Sequence, residues 1–121
     1  MNETQAALLR LFTDEDAHHG DELVAEIVVA RARAAGLAGA TVLRGRLGFG
    51  ARAVHTHRFL GVGDNPPVVI EIVDDEPRLR AFATGLADLR SIALMTLERV
   101  EVLRSGRPAA PTPEDSQPRS G

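Results

Sequence analysis

The stretch Arg44-Gly45-Arg46-Leu47-Gly48-Phe49-Gly50-Ala51-Arg52 interleaves glycine with arginine. Glycine lets a backbone turn tightly and bring its N–H groups close to a ligand. Arginine adds a planar, permanently charged fork of donors. Successive backbone donors and guanidinium forks together make an anion nest for phosphate or carboxylate. The same residues also fit a strand end that kinks through its glycines. The arginines would then be solvated or paired with acids on a neighbouring subunit. The segment lies in a window, Ile27 to Gly63, that has no acidic residue but carries Arg31, Arg33, Arg44, Arg46, Arg52, Arg58, His55 and His57. On a chain of net charge −3 this is a local concentration of positive charge. The candidate ligand-binding residues are therefore Arg44, Gly45, Arg46, Gly48, Phe49, Gly50, Arg52, His55 and Arg58.

Other groupings carry weaker chemistry. Gly48-Phe49-Gly50-Ala51-Arg52-Ala53 has the G-x-G-x-x-A spacing, with Glu71 about 20 residues on. That fingerprint must open a helix in a βαβ unit, and Val54-His55-Thr56-His57 looks extended. His55 and His57 share one face if the segment is a strand. They could hold a metal with a third ligand, or be a solvated pair, and the neighbouring arginines disfavour a cation. Asp14-Glu15-Asp16-Ala17-His18-His19-Gly20-Asp21 offers oxygen and nitrogen donors, but its spacing matches no closed metal motif. A polar loop feeding a helix is the simpler reading. Ser91 and Ser105 lack a nucleophile-elbow context. Glu71 alone is not an acid–base pair and is expected to face an arginine across the hairpin, Arg44 or Arg46. No catalytic residue, metal site or cofactor is assigned, and the expectation is a non-enzyme.

Composition narrows the class. The chain has no cysteine, which excludes disulfides and thiol chemistry, and all 14 basic residues are arginine, which excludes a lysine base or Schiff base. Acidic balance, few aromatics and no lysine argue against nucleic-acid binding. No apolar run approaches the ~18 residues of a membrane span. Met1-Asn2-Glu3-Thr4 lacks a basic n-region, so no secretory signal is expected and the predicted location is cytoplasmic. Ser105 to Gly121 holds Pro108, Pro111, Pro113 and Pro118 but no Leu, Ile, Val or Phe. It is expected to be a disordered tail after a folded domain over 6–104.

These elements must position the glycine-arginine segment. Ala6 to Thr13 is short and apolar except for Arg10, which fits a central strand. Leu23, Ile27, Ala30 and Ala34 form a helical stripe, predicting a helix over 21–35 with Gly36 and Leu37 as its αL cap. Arg31 and Arg33 fall on its outer side and are expected to be solvated. Ala40 to Leu47 alternates as a strand, with Val42 on one face and Leu43 and Leu47 on the other. Pro67 to Val73 is the clearest strand. Asp74-Asp75-Glu76-Pro77 opens a second helix, whose stripe Leu79, Phe82, Leu86 and Leu89 runs to about Arg90. Leu94 to Leu103 is a last strand, with Met95, Leu97, Val100 and Val102 as candidate core. The order β-α-β-β-α-β predicts an α+β, ferredoxin-like split β-α-β fold: an antiparallel sheet with two helices on one face. The connection from Gly48 to Pro66 is far longer than an ordinary hairpin loop, and Val54 to Leu60 could form an extra strand within it.

Several segments in this order resemble one family. Gly36-Leu37-Ala38-Gly39-Ala40-Thr41-Val42-Leu43-Arg44-Gly45, then Gly48-Phe49-Gly50, His55-Thr56 and Pro67-Val68-Val69-Ile70-Glu71-Ile72-Val73-Asp74, together with His18-His19-Gly20, are similar to domain of unknown function 190. That family is grouped with PII-like signalling proteins and CutA. The resemblance implies a ferredoxin-like protomer, usually a homotrimer, with the 48–66 connection in the place of the ligand-responsive loop of PII-like proteins. It implies a binding or regulatory protein for a small anion, an adenine nucleotide among the candidates, at clefts between subunits. A CutA-like metal-binding module, or an accessory subunit docking on a membrane transporter or channel, are the alternatives. Arg46, His57 and Asp21 depart from the family pattern.

Overall fold

A computed structural model describes residues 5–47 and 66–103. The expected extra strand at 54–60 and the expected tail at 105–121 lie outside the described residues. Along the chain run β1 (Ala6–Asp14), β2 (His18–His19), β3 (Glu22–Leu23), α1 (Val24–Ala34), β4 (Thr41–Arg44), β5 (Pro67–Asp75), α2 (Glu76–Thr84) and β6 (Leu94–Arg99). The main sheet has the order β4-β5-β1-β6, and every neighbouring pair is antiparallel. β1 and β4 run parallel with β5 inserted between them, which is the ferredoxin-like split β-α-β arrangement. As expected for a central strand, β1 pairs on both sides, with β5 and with β6.

The side-chain period of two divides the sheet into two faces. Ala7, Leu9 and Leu11 of β1 and Val68, Ile70 and Ile72 of β5 are buried with Val24, Ile27 and Val28 of α1 and Leu79 of α2. This is the helix-covered face. Leu8, Arg10 and Phe12 point the other way, where no described helix lies. There the register aligns Leu43, Val69, Phe12 and Leu94 in one apolar row across all four strands. The adjacent row holds Thr41, Glu71, Arg10 and Thr96. Within it the Arg10 guanidinium donates to Glu71 at 2.9 Å and to Glu98 at 2.9 Å. Glu71 thus meets Arg10 of β1 rather than Arg44 or Arg46, because the residue opposite it on β4 is Thr41.

The first helix starts at Val24, not Asp21. His18 pairs with Leu23 and His19 with Glu22 around a Gly20-Asp21 turn, where Gly20 takes φ 65°. This small ribbon consumes the residues that the periodicity assigned to the helix. Its far end is as expected. Gly36 takes φ 75°, its N–H donates to the Arg33 carbonyl, and Leu37 N–H donates to the Ala32 carbonyl. Those two bonds make a Schellman cap. α2 ends at Thr84, short of Arg90. Beyond it, Leu86, Leu89 and Ile92 each donate a backbone bond to the carbonyl three residues earlier. These tighter turns keep Leu86 and Leu89 buried without continuing the helix. Both outer strands are shorter than their apolar runs. β6 stops at Arg99, Leu94 and Met95 are exposed, and Leu97 alone of the expected β6 residues packs on the core.

Two ion pairs tie the helices together. Asp74 is fully buried at the end of β5. Its carboxylate accepts from the Ala38 N–H at 2.7 Å, from the Asp75 N–H at 2.6 Å and from Arg78 at 3.2 Å. Arg78 also donates to the carbonyls of Ala35 (3.1 Å) and Gly36 (2.8 Å) at the end of α1. The second pair corrects the expectation for Arg31. Its guanidinium grips Asp88 through two bonds of 2.9 and 2.7 Å, so it is a bidentate partner and not a solvated cation. That grip, chiefly its hydrogen bonds, lowers the Asp88 carboxyl from 3.8 to about 2.

Two outcomes follow. Asp74→Ala should lower unfolding stability by about 2–3 kcal/mol, because it removes the buried acceptor of two backbone donors and the partner of the part-exposed Arg78 guanidinium. Chemical denaturation measures this, and the double variant with Arg78→Ala should cost less than the sum of the single ones. A carboxyl whose folded value is depressed stabilises the fold above its unfolded value, and that contribution is lost as pH falls through the folded one. The melting temperature should therefore drop between pH 3.8 and about 2. Asp88→Asn should flatten that part of the profile.

Candidate functional site

The topology dictates where the site forms. β1 and β4 run parallel and β5 runs back between them. The end of β1, the end of β4 and the start of β5 therefore meet at one end of the sheet. Asp14 stands opposite Pro67, and Arg44 opposite Val68. The long connection leaves and re-enters the described fold here.

Backbone bonds pin this junction. The Gly45 N–H donates to the Pro67 carbonyl at 2.6 Å, and the Glu15 N–H donates to the Pro66 carbonyl at 3.0 Å. Gly45 is required by this approach. A Cβ there would lie 2.7 Å from Pro67 Cγ and 3.2 Å from the Pro67 carbonyl oxygen. Arg44 closes the junction from its side chain. Its Nε and one terminal nitrogen reach Glu15 Oε1 at 3.1 and 3.0 Å. Both groups are well exposed to solvent, at 64% and 45% of their side-chain surface. Such a pair contributes little to stability on its own. Its guanidinium is correspondingly available to an incoming anion.

Of the residues predicted for the site, Arg44, Gly45 and Arg46 are described, and they sit together at this junction. Arg46 is exposed just beyond Gly45 and makes no ion pair among the described residues. Gly48, Phe49, Gly50, Arg52, His55 and Arg58 lie outside the described residues, as does His57. Glu15, the partner of Arg44, is the candidate residue that sequence reasoning missed. Its neighbours in sequence fit a polar loop feeding the first helix, which hides the contact with β4. The available signal was topological: in a split β-α-β sheet the residue after the first strand lies beside the end of the second.

The 14–19 segment does not gather its donors. The His18 ring contacts the Asp16 backbone carbonyl, while His19 lies 3.7 Å from Asp88 on another part of the surface. Among the described residues, no three His, Cys, Asp or Glu side chains converge as a metal set. Among them too, no helix is long and apolar enough to cross a membrane.

The arrangement can therefore bind charge. Arg44 and Arg46 offer guanidinium forks at a backbone junction, and Arg44 can exchange Glu15 for an external anion. Comparison with known proteins agrees with the fold. The family model for DUF190, described as "Uncharacterized ACR", matches residues 6–102. A UPF0166 protein of Aquifex aeolicus (strain VF5) is 34% identical over 104 residues, covering 85% of this chain and 98% of that protein.

Replacing Gly45 tests the junction directly. Gly45→Ala forces its methyl group against the Pro67 ring, which has little freedom to yield. The expected cost is about 1–3 kcal/mol in chemical denaturation. Faster hydrogen exchange at the Glu15 amide should accompany it, since that amide bonds to the adjoining Pro66 carbonyl.

Proposed function

The chain belongs to the DUF190 family, and on that premise we propose that it is a PII-like regulatory protein that binds a small anion and responds through the 48–66 connection. The observation that carries the reading is the exposed Arg44–Glu15 pair at the root of that connection. An anionic ligand, with a phosphate-bearing nucleotide as the leading class, competes with Glu15 for Arg44. Arg46 adds a second fork, and Gly45 lets the backbone approach closely. Glu15 also holds the returning strand through Pro66. Removing its charge partner loosens one of the ties between the two ends of the connection. Binding thereby shifts the populations of the connection and of whatever surface it presents.

The helix-free face of the sheet supports self-association. The row Leu43, Val69, Phe12 and Leu94 is apolar on a face that no described helix covers, and Leu43 and Leu94 are 46% and 54% exposed. A sheet with one apolar face left open is stabilised by packing that face on another layer. In the proposed assembly that layer comes from two further copies of the chain, and the anion sites lie at the clefts between them.

Calorimetry with ATP, ADP and inorganic phosphate tests the ligand. Heat should appear at submillimolar nucleotide, and Arg44→Gln should weaken binding about tenfold by removing one charge-assisted contact. No heat at millimolar nucleotide from an intact oligomer would overturn the nucleotide reading. Sedimentation tests the assembly. The wild-type chain should run as a trimer, and Leu43→Glu, at an edge position an isolated protomer tolerates, should release monomers with unchanged helical circular dichroism.

A further inference from the structure

A groove runs between α1 and β4 on the helix-covered side of the sheet, and the Arg44–Glu15 pair of the junction forms one end of it. We infer that this groove binds an amphipathic monoanion: an apolar chain or ring carrying a single carboxylate. It encloses about 720 Å³, within the range of small-molecule sites. Its walls are Val29 and Ala30 from the flank of α1 and Val42 and Val68 from the sheet, with Leu23 near one end. The groove exists because of the residue sizes. α1 buries Val24, Ile27 and Val28 over β1 and β5. The flank facing β4 carries alanine at 25, 30 and 34, which are too small to reach the outer strand.

Charge within the groove is asymmetric. Arg33 and Arg44 both line it, as do Glu15 and Glu26. The chain leaves α1 and enters β4 at its first residue, so Arg33 in the last helical turn lies toward the start of β4. Arg44 lies at the other end, beside the first turn of α1. Ala25 to Arg33 alone spans about 12 Å of helix at 1.5 Å per residue. At the Arg44 end the cation is already matched by Glu15, with Glu26 nearby. At the other end Arg33 makes no ion pair among the described residues. The carbonyls of that helix end do not oppose an anion strongly, because Arg78 and the Schellman bonds already occupy them. The two arginines and two glutamates of the lining therefore balance in number but not in place: both carboxylates stand at the Arg44 end, and Arg33 is the charge at the other end of a long apolar wall. A single carboxylate at Arg33 with its hydrocarbon along Val29, Ala30 and Val42 satisfies both. At the Arg33 end a polyphosphate does not, since its remaining charge would lie against apolar side chains.

Although Arg44 and Glu15 close one end of the groove, this inference does not rest on the nucleotide reading, which tests Arg44 and Arg46, whereas this one tests Arg33. The probe is decanoate below its micelle concentration, added to the full-length ¹⁵N-labelled chain, with decanol and inorganic phosphate as comparisons. Saturable amide shifts at one ligand per chain, confined to α1, β4 and the adjoining residues around Leu23 and Val68, are expected with decanoate. Decanol and phosphate should each bind about tenfold more weakly or worse, and Arg33→Gln should weaken decanoate about tenfold while leaving nucleotide heats unchanged. Ala30→Phe, at an exposed helical position, should block the groove. The proposal is overturned if decanoate gives no saturable shifts, if decanol binds as tightly, or if Arg33→Gln leaves decanoate binding unchanged. The wild-type mapping and the Arg33 variant decide the matter even if Ala30→Phe perturbs the fold.

Discussion

The carboxylate of Asp74 is the point on which the helical layer depends. It is a full charge with no solvent contact, placed where β5 turns into α2. Such a group is tolerated only when its oxygens are saturated by donors. Here those donors come from three places: the segment after α1, the backbone of its own strand end, and the first turn of α2. Arg78 then passes the constraint on, because the same guanidinium holds the last carbonyls of α1. The two helices are thus not independent covers laid on a sheet. Where α1 ends, where β4 begins and how α2 starts are set by one electrostatic requirement.

The two proposed sites divide the chemistry of one groove between its two ends. At the junction the relevant property is competition: an exposed ion pair whose cation can change partners. In the groove it is incompleteness: a cation, Arg33, that makes no ion pair among the described residues, beside apolar surface. Both use arginine, the only strongly basic residue in the chain. A guanidinium keeps its charge across the whole biological range. Neither site is therefore gated by its own deprotonation, and occupancy is governed by ligand concentration and by competing carboxylates.

The element order and the sheet topology were legible because they rest on local periodicity. The αL cap at Gly36 was legible for the same reason, since a glycine followed by leucine after an alanine stripe has one economical geometry. The start of α1 was not, because Asp21 and Glu22 suit a helix N-terminus and a hairpin turn equally well, and the pairing of His18 with Leu23 decided it. The length of α2 was overread because Leu86 and Leu89 keep a helical spacing in successive tight turns. Within the candidate site, Arg44 and Gly45 were legible from residue type. Glu15, and the partners of Glu71 and Arg31, were not. Those contacts join residues far apart in sequence, and only the strand register places them together.

Arg10 sits in the middle of the open sheet face, between Glu71 and Glu98, next to an apolar row. The consequence is one of fidelity. A purely greasy surface accepts many partners in many orientations, because hydrophobic attraction has no direction. A surface keyed by one positive group flanked by two negative groups does not. Any arrangement that covers it must leave that small cluster intact or supply equivalent partners, and a shift by one strand spacing sets charge against hydrocarbon. In the proposed self-association the apolar row would supply the attraction, and Arg10 with its two carboxylates would check the alignment.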